Sequence, residues 1–252
     1  MNNVGWKTMS YWKALQLLSG QIWRWDKKGY IVAFAFSLYM GATMSLNANA
    51  MFGSEADEIP SALIGIIDWM FLAAMPILGS CMNRTIFSIW RDDSHTRRMA
   101  VLRAYPIPLP VIIGSRIAQS IVLASINVTA MLTLIYALSP DLRDNVSIGR
   151  WIAFDAMWIC YSLIVGTALV WLELGYSGRR YVLSYLIGFA IVTAIVVAMS
   201  WLSVHPFTEV LAWTKLDGAP AILLGLLAAA AAALWIGYRV TIRKIRTRSL
   251  AF

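Results

Sequence analysis

Few side chains in this chain could do chemistry, and they are scattered along its 252 residues. The only two histidines, His95 and His205, are more than a hundred positions apart. No G-x-x-x-x-G-K-[ST] sequence is present, so we expect no P-loop for nucleotide phosphates in this chain. Because catalysis requires several polar groups close together, the sequence predicts no enzymatic activity and no cofactor bound to the chain itself.

Two carboxylates, Asp68 and Asp155, lie inside apolar segments. An ionisable group at the centre of a membrane costs roughly 2.5–3.5 kcal/mol on translocon scales, so its presence usually indicates a function. We therefore consider both as candidates for a substrate path that binds a cationic or amphipathic molecule near the outer leaflet. The structural alternative is that Asp155 pairs with nearby Arg150 and that Asp68 forms a hydrogen bond or reaches the membrane interface.

By residue type and spacing alone, Asp92, Asp93 and His95 resemble a metal-binding cluster. They have arginines on both sides and no fourth ligand nearby, whereas a protein metal site needs a full set of ligands. We therefore predict no metal in this chain.

Most of the remaining sequence is apolar. Hydrophobic residues make up 60% of the chain and charged residues only 13%, whereas soluble domains are about a quarter charged. A helix of about 20 apolar residues crosses the hydrocarbon core of a membrane, and the sequence contains six such runs. We predict an all-α polytopic membrane protein whose six spans are approximately Tyr30–Phe52, Ser61–Met82, Val111–Leu138, Trp151–Leu172, Tyr181–Val204 and Ala219–Val240.

Lys and Arg residues predict the orientation. Seventeen lie in the leader, in the second and fourth connections and in the tail, against three in the first, third and fifth connections. The positive-inside rule places the richer side in the cytoplasm, so both termini are predicted to be cytoplasmic, in the cell (plasma) membrane. The net charge of +8 is thus explained by anionic lipid headgroups, and we expect no nucleic-acid binding. The predicted divisions are a leader (1–29), a six-helix domain (30–240) with a cytoplasmic loop (84–106), and a basic tail (241–252).

The leader contains a predicted amphipathic helix. Apolar and aromatic residues fall on one face and Lys13, Arg24 and Lys27 on the other, which is typical of a helix lying on the membrane interface. A soluble amphipathic helix packed on a partner would show the same pattern. The residues assigned to the interfacial face or its edge are Tyr11, Trp12, Leu15, Leu18, Ile22 and Trp25.

The loop 84–106 is the longest and least apolar connection. Carboxylates stabilise the start of a helix, so Asp92 and Asp93 predict a short helix, which Pro106 and the following prolines would end before the third span begins. A small charged helix held between two spans is suited to bind a cytoplasmic partner and pass on its movement. The arginines of this loop are also typical of an anionic-lipid patch.

In these features the chain resembles the permease subunit of type-2, exporter-class ABC transporters. Six spans, an amphipathic leader and a charged loop before a third span opening LRAYPIPLPVIIGSR carry the resemblance. The residues that match the family's pattern are Leu102, Pro106, Ile112, Ile113, Gly114 and Arg116.

The resemblance implies that the leader is an elbow helix and that the loop holds a coupling helix. The partners would be a cytoplasmic P-loop ATPase carrying ATP and Mg²⁺, and a second permease chain forming a homo- or heterodimer. Spans two and five would line the path of an amphipathic substrate such as a peptide, antibiotic or lipid, moved by alternating access. The implied coupling residues are Arg91, Asp92, Asp93, His95, Arg97, Arg98, Leu102 and Arg103.

Three alternatives remain open from the sequence. A non-transporting immunity or regulatory subunit would need the same bundle. A passive channel or secondary carrier would need no nucleotide partner. A membrane-embedded enzyme acting on lipid would need a cluster of carboxylates or histidines, which the sequence does not provide.

Overall fold

The structure, a computed structural model, describes residues 10–53, 61–80, 93–104 and 107–247. Every regular element in these ranges is a helix. In chain order the helices are α1 (Tyr11–Trp25), α2 (Lys27–Ala50), α3 (Ser61–Ile77), α4 (Ser94–Ala104), α5 (Leu109–Leu138), α6 (Pro140–Asn145), α7 (Ile148–Gly175), α8 (Gly178–Trp201), α9 (Pro206–Trp213) and α10 (Ala219–Thr247).

Five helices, α2, α5, α7, α8 and α10, are long and apolar enough to cross a membrane. The predicted all-α polytopic class is thereby supported. Helix α3 is also apolar, and its 17 residues would extend roughly 25 Å at 1.5 Å per residue. It is seven residues shorter than the shortest of the other five, which has 24 residues, so the sixth span stays a prediction.

The ends of the helices follow from local chemistry. Helix α5 begins at Leu109, two residues before the predicted start, and includes Pro110 in its first turn. Proline is tolerated there because the first N–H groups of a helix have no partner within the helix. The predicted outer connection 205–218 contains one short helix, α9, which also opens with a proline.

The main core lies between α2, α3, α5 and α7, and α9 closes one end of it. An aromatic cluster fills its centre, where Phe71 and Phe154 both contact the ring of Phe207 from α9, with centroids 4.9 and 5.3 Å apart. Helices α8 and α10 contribute no residue to this core. They pack on its outside, α8 against α3 and α10 against α7.

A second, smaller core joins α1, α4, the first turns of α5 and the last turns of α10. The basic segments of the sequence therefore meet at one end of the bundle, which we call the basic end. Helices α6 and α9 lie at the opposite end. The structure groups the predicted inner segments together, although the side of the membrane that each end faces remains a prediction.

Gly41 allows α2 and α5 to approach closely. A Cβ atom at this position would lie 2.8 Å from the backbone oxygen of Met131, a contact that only a backbone shift relieves. We expect Gly41→Ala to lower the free energy of unfolding by about 1–3 kcal/mol, as overpacked cores do. Thermal unfolding in detergent would measure it, with Gly188→Ala as the control because nothing lies within 4 Å of that position. Equal stability of the two variants would contradict the close packing.

Candidate functional site

The candidate site is a platform at the basic end, formed by α1 and α4 on the first turns of α5. Its inner surface is the second core, in which Leu18 and Ile22 of α1 are buried near Met99 and Leu102 of α4. Because both helices contribute apolar side chains to the second core, burial of apolar surface stabilises the platform in addition to its polar contacts.

Helix α1 presents only part of its apolar face to its surroundings. Of the predicted interfacial residues, Leu18 and Ile22 are buried, Leu15 is partly buried, and Trp12 and Trp25 are 70% and 59% exposed. Part of the predicted lipid-facing surface thus packs on the protein itself, while the exposed indoles remain suited to a headgroup region.

Tyr11 begins this helix and fastens it to the bundle. Its hydroxyl lies 3.5 Å from the carbonyl oxygen of Pro110. Burial, and then a hydrogen bond with Tyr238, raise the pKa of this phenol to about 12. Tyr11 therefore stays protonated at neutral pH and keeps its hydrogen for donation.

The segment Ile112–Gly114 forms the joint between α1 and α5. Ile112 and Ile113 are buried in the second core. A Cβ atom at Gly114 would collide with the Tyr11 hydroxyl and lie 2.9 Å from Leu15. Gly114 is therefore needed because α1 crosses α5 at this point, and these residues of the sequence pattern share one structural task.

Asp93 starts α4. Its Oδ1 accepts hydrogen bonds from the Thr96 hydroxyl at 2.8 Å and from the Thr96 N–H at 3.4 Å, as expected of a helix-capping carboxylate. The same oxygen accepts a third bond, at 2.8 Å, from the N–H of Gly178, the first residue of α8. The predicted cap is confirmed for Asp93, and its link to α8 is a further finding.

The two arginines on the first turns of α4 differ in surroundings. Arg98 donates to Asp26 at 2.9 Å, an ion pair that ties α4 to the junction of α1 and α2. Arg97 is exposed, and Val101, four residues later on the same helical face, is 56% exposed. Arg91, Asp92 and Pro106 lie outside the described residues, as do the side chains of His95 and Arg103.

A polar network extends from the platform into the bundle. Arg116 of α5 binds both carboxylate oxygens of Glu173 on α7, with its shortest contact from Nη2 to Oε2 at 2.7 Å. Arg116 also donates to Gln119, which in turn donates to the hydroxyl of Tyr30 on α2. Three long helices are thus connected by one network. Bidentate Arg–carboxylate pairs combine strength with a fixed geometry.

The pairing of Arg116 with Glu173 was not predicted from the sequence. The available signal was that each is a charged residue near the same predicted end of a different span. Lone opposite charges at equal depth are candidates for a pair, because an unpaired charge inside a membrane is costly.

Asp68 and Asp155, the two candidate path residues, are not brought together. Asp68 is 1% exposed and accepts from the N–H of Phe207 at 2.8 Å while its other oxygen lies 2.9 Å from His205 Nδ1. It therefore fixes the start of α9, a structural role. Asp155 accepts from Thr129 at 2.8 Å, while its second oxygen has no hydrogen-bond partner among the described residues.

We expect Asp68→Ala to leave the buried N–H of Phe207 unpaired and to lower the stability of the protein by about 1–3 kcal/mol. Asp68→Asn keeps an acceptor oxygen and should cost less. Thermal unfolding of both variants in detergent would measure the difference. If the two substitutions were equally harmful, the negative charge rather than the hydrogen bond would be the important property.

Comparisons with protein-family models, with curated proteins and with solved structures gave no match to this chain.

Proposed function

We propose that this chain is the membrane-spanning subunit of an ATP-driven, ABC-type exporter, and that α4 is the docking helix for a separate P-loop ATPase. The observation that carries the proposal is the construction of α4. The helix and its cap are attached to the second core, to Asp26 and to Gly178 at the start of α8. Arg97 and Val101, in contrast, project from the platform. A helix held on one face and open on the other is suited to receive and transmit force.

In this proposal α3 is the second of six spans and α1 is the elbow helix. The basic end faces the cytoplasm, because cytoplasmic loops carry the excess of Lys and Arg. This placement puts Arg97 where a soluble ATPase can reach it. It also brings α1 to the level of the lipid headgroups, where its exposed tryptophans are favoured.

The substrate would pass along α3 and α8, which are spans two and five. An open apolar groove of about 340 Å³ lies between them, lined among others by Ile66, Trp69 and Trp201. Across the groove, Trp69 of α3 donates a hydrogen bond to Thr193 of α8. Such a lining favours a substrate with a large apolar part, such as a lipid, a lipopeptide or an amphipathic antibiotic, and a second permease chain would complete the path.

The proposal is tested by purifying the tagged chain gently from its native membrane and identifying what is recovered with it. We expect a P-loop ATPase in stoichiometric amount and ATP-dependent transport after reconstitution into vesicles. Recovery of an ATPase without transport would favour the regulatory or immunity subunit. Recovery of the chain alone, with no nucleotide-dependent activity, would overturn the proposal in favour of a channel or carrier.

A further inference from the structure

The carboxylate of Asp93 lies at the start of two helices, α4 and α8. Asp93 Oδ1 accepts from Thr96 in the first turn of α4 and from the N–H of Gly178 at the start of α8. Both helix starts carry partial positive charge, which attracts a carboxylate. Gly178 and Thr96 are buried, so this contact is sheltered at the base of the platform.

Helix α8 has few other attachments. Only 6% of its most apolar 18-residue stretch is buried within the protein, and its buried residues are Gly178 and Val196. Farther along α8, Trp69 of α3 donates to Thr193 and meets the ring of Phe189 edge-on at 4.9 Å. At the near end of α8 the N–H of Gly178 is bonded to Asp93, and Tyr181, three residues later, interacts electrostatically with Glu173 and Arg116.

The covalent connection between α7 and α8 is short. Only two residues, Tyr176 and Ser177, separate α7 from α8. They permit a change of direction, but they do not fix the angle at which α8 leaves. The bond from Gly178 to Asp93 restrains this angle, since it ties the first residue of α8 to the residue that precedes α4.

We infer that Asp93 is a positioning residue that couples the two helices, so that a displacement of α4 moves the near end of α8 about its contacts with Trp69. This inference rests on the proposed function, in which α4 receives the force of the ATPase and α8 lines the substrate path. It adds the route between them: force passes through one side-chain oxygen, in parallel with the general packing of the platform.

The contact is tested in the full-length chain by measuring the distance distribution between spin labels on Val101→Cys and Leu183→Cys. Both positions are more than half exposed, and Cys81 and Cys160 are first replaced by serine. We expect Asp93→Ala to broaden the distribution, and Asp93→Asn, which keeps an acceptor oxygen, to restore most of it. Thr96→Val is the matched control, because it removes the hydroxyl bond to Asp93 on the α4 side and leaves Gly178 bound. An unchanged distribution in Asp93→Ala would overturn the inference.

Coupling is then tested with the co-purified ATPase. In the parent chain bound to its ATPase, ATP should shift the distance between the two labels; in the ATPase-bound fraction of each variant, Asp93→Ala should lose this shift and Asp93→Asn should keep most of it. A second label pair, on Ile152→Cys and Ile195→Cys toward the far end, should give the same distance distribution in the Asp93→Ala and Asp93→Asn variants. If Asp93→Ala retains the full shift, Asp93 does not couple the helices. If the parent chain recovers no ATPase, the proposed function fails, whereas the first measurement still decides whether Asp93 joins α4 to α8.

Discussion

Charge reversal at Arg97 should reduce recovery of the partner ATPase about tenfold or more while leaving the stability of the chain unchanged. Arg97 is exposed on the outer face of α4 beside Val101 and has no recorded ion pair among the described residues. A like charge placed in a complementary interface costs several kcal/mol. Quantitative co-purification of the ATPase with the Arg97→Glu chain would measure the loss.

Arg98→Glu provides the contrast. It places a second carboxylate beside Asp26, which Arg98 now contacts at 2.9 Å, so we expect the platform to loosen and the unfolding temperature to fall. Arg143→Glu, in α6 at the opposite end of the bundle, should change neither property. If Arg97→Glu and Arg143→Glu recover the ATPase equally well, the outer face of α4 is not the docking surface.

The positions of the long helices could be predicted from the sequence because the requirement for a span is local. A run of about 20 apolar residues is sufficient, and five of the six predicted runs coincide with long apolar helices within several residues. Helix α1 shows the limit of this reasoning. Its apolar face was predicted to lie on the membrane interface, whereas Leu18 and Ile22 pack on the protein and Trp12 remains exposed. Lipid and protein interior are both apolar, so periodicity alone cannot distinguish them.

The polar contacts of the candidate site depend on proximity in three dimensions, and the sequence predicts them only in part. A carboxylate before a helix indicates a cap, and Asp93 is one. Nothing near it in sequence indicates that its other donor is Gly178, 85 positions away. Asp68 was considered for a substrate path because a carboxylate in an apolar run suggests function, but its partner His205 lies 137 positions away. Such pairings require the fold.

Breaking the ion pair between Arg116 and Glu173 should have the largest effect on stability of any change in the described part of the chain. Both side chains are only 13–14% exposed. Removing either one would leave the other as an uncompensated charge inside the bundle. Removing one member of a buried pair typically costs about 3–5 kcal/mol. We expect losses of this size for Arg116→Met and for Glu173→Leu, measured as the free energy of unfolding of the solubilised chain by denaturant titration.

The double variant separates stability from function. Apolar replacements of a whole buried pair are often neutral, so Arg116→Met with Glu173→Leu should recover most of the stability that either single change removes. Arg239→Met is the control at the same end of the bundle, because Arg239 is exposed and lies over the ring of Trp235, 5.3 Å from its centroid, without an ion pair among the described residues. If the single variants cost no more than this control, water screens the pair and the network does not hold α5 to α7. If the double variant is stable but no longer couples ATP hydrolysis to transport, the network is required for movement rather than for folding, because its geometry is what the apolar pair cannot replace.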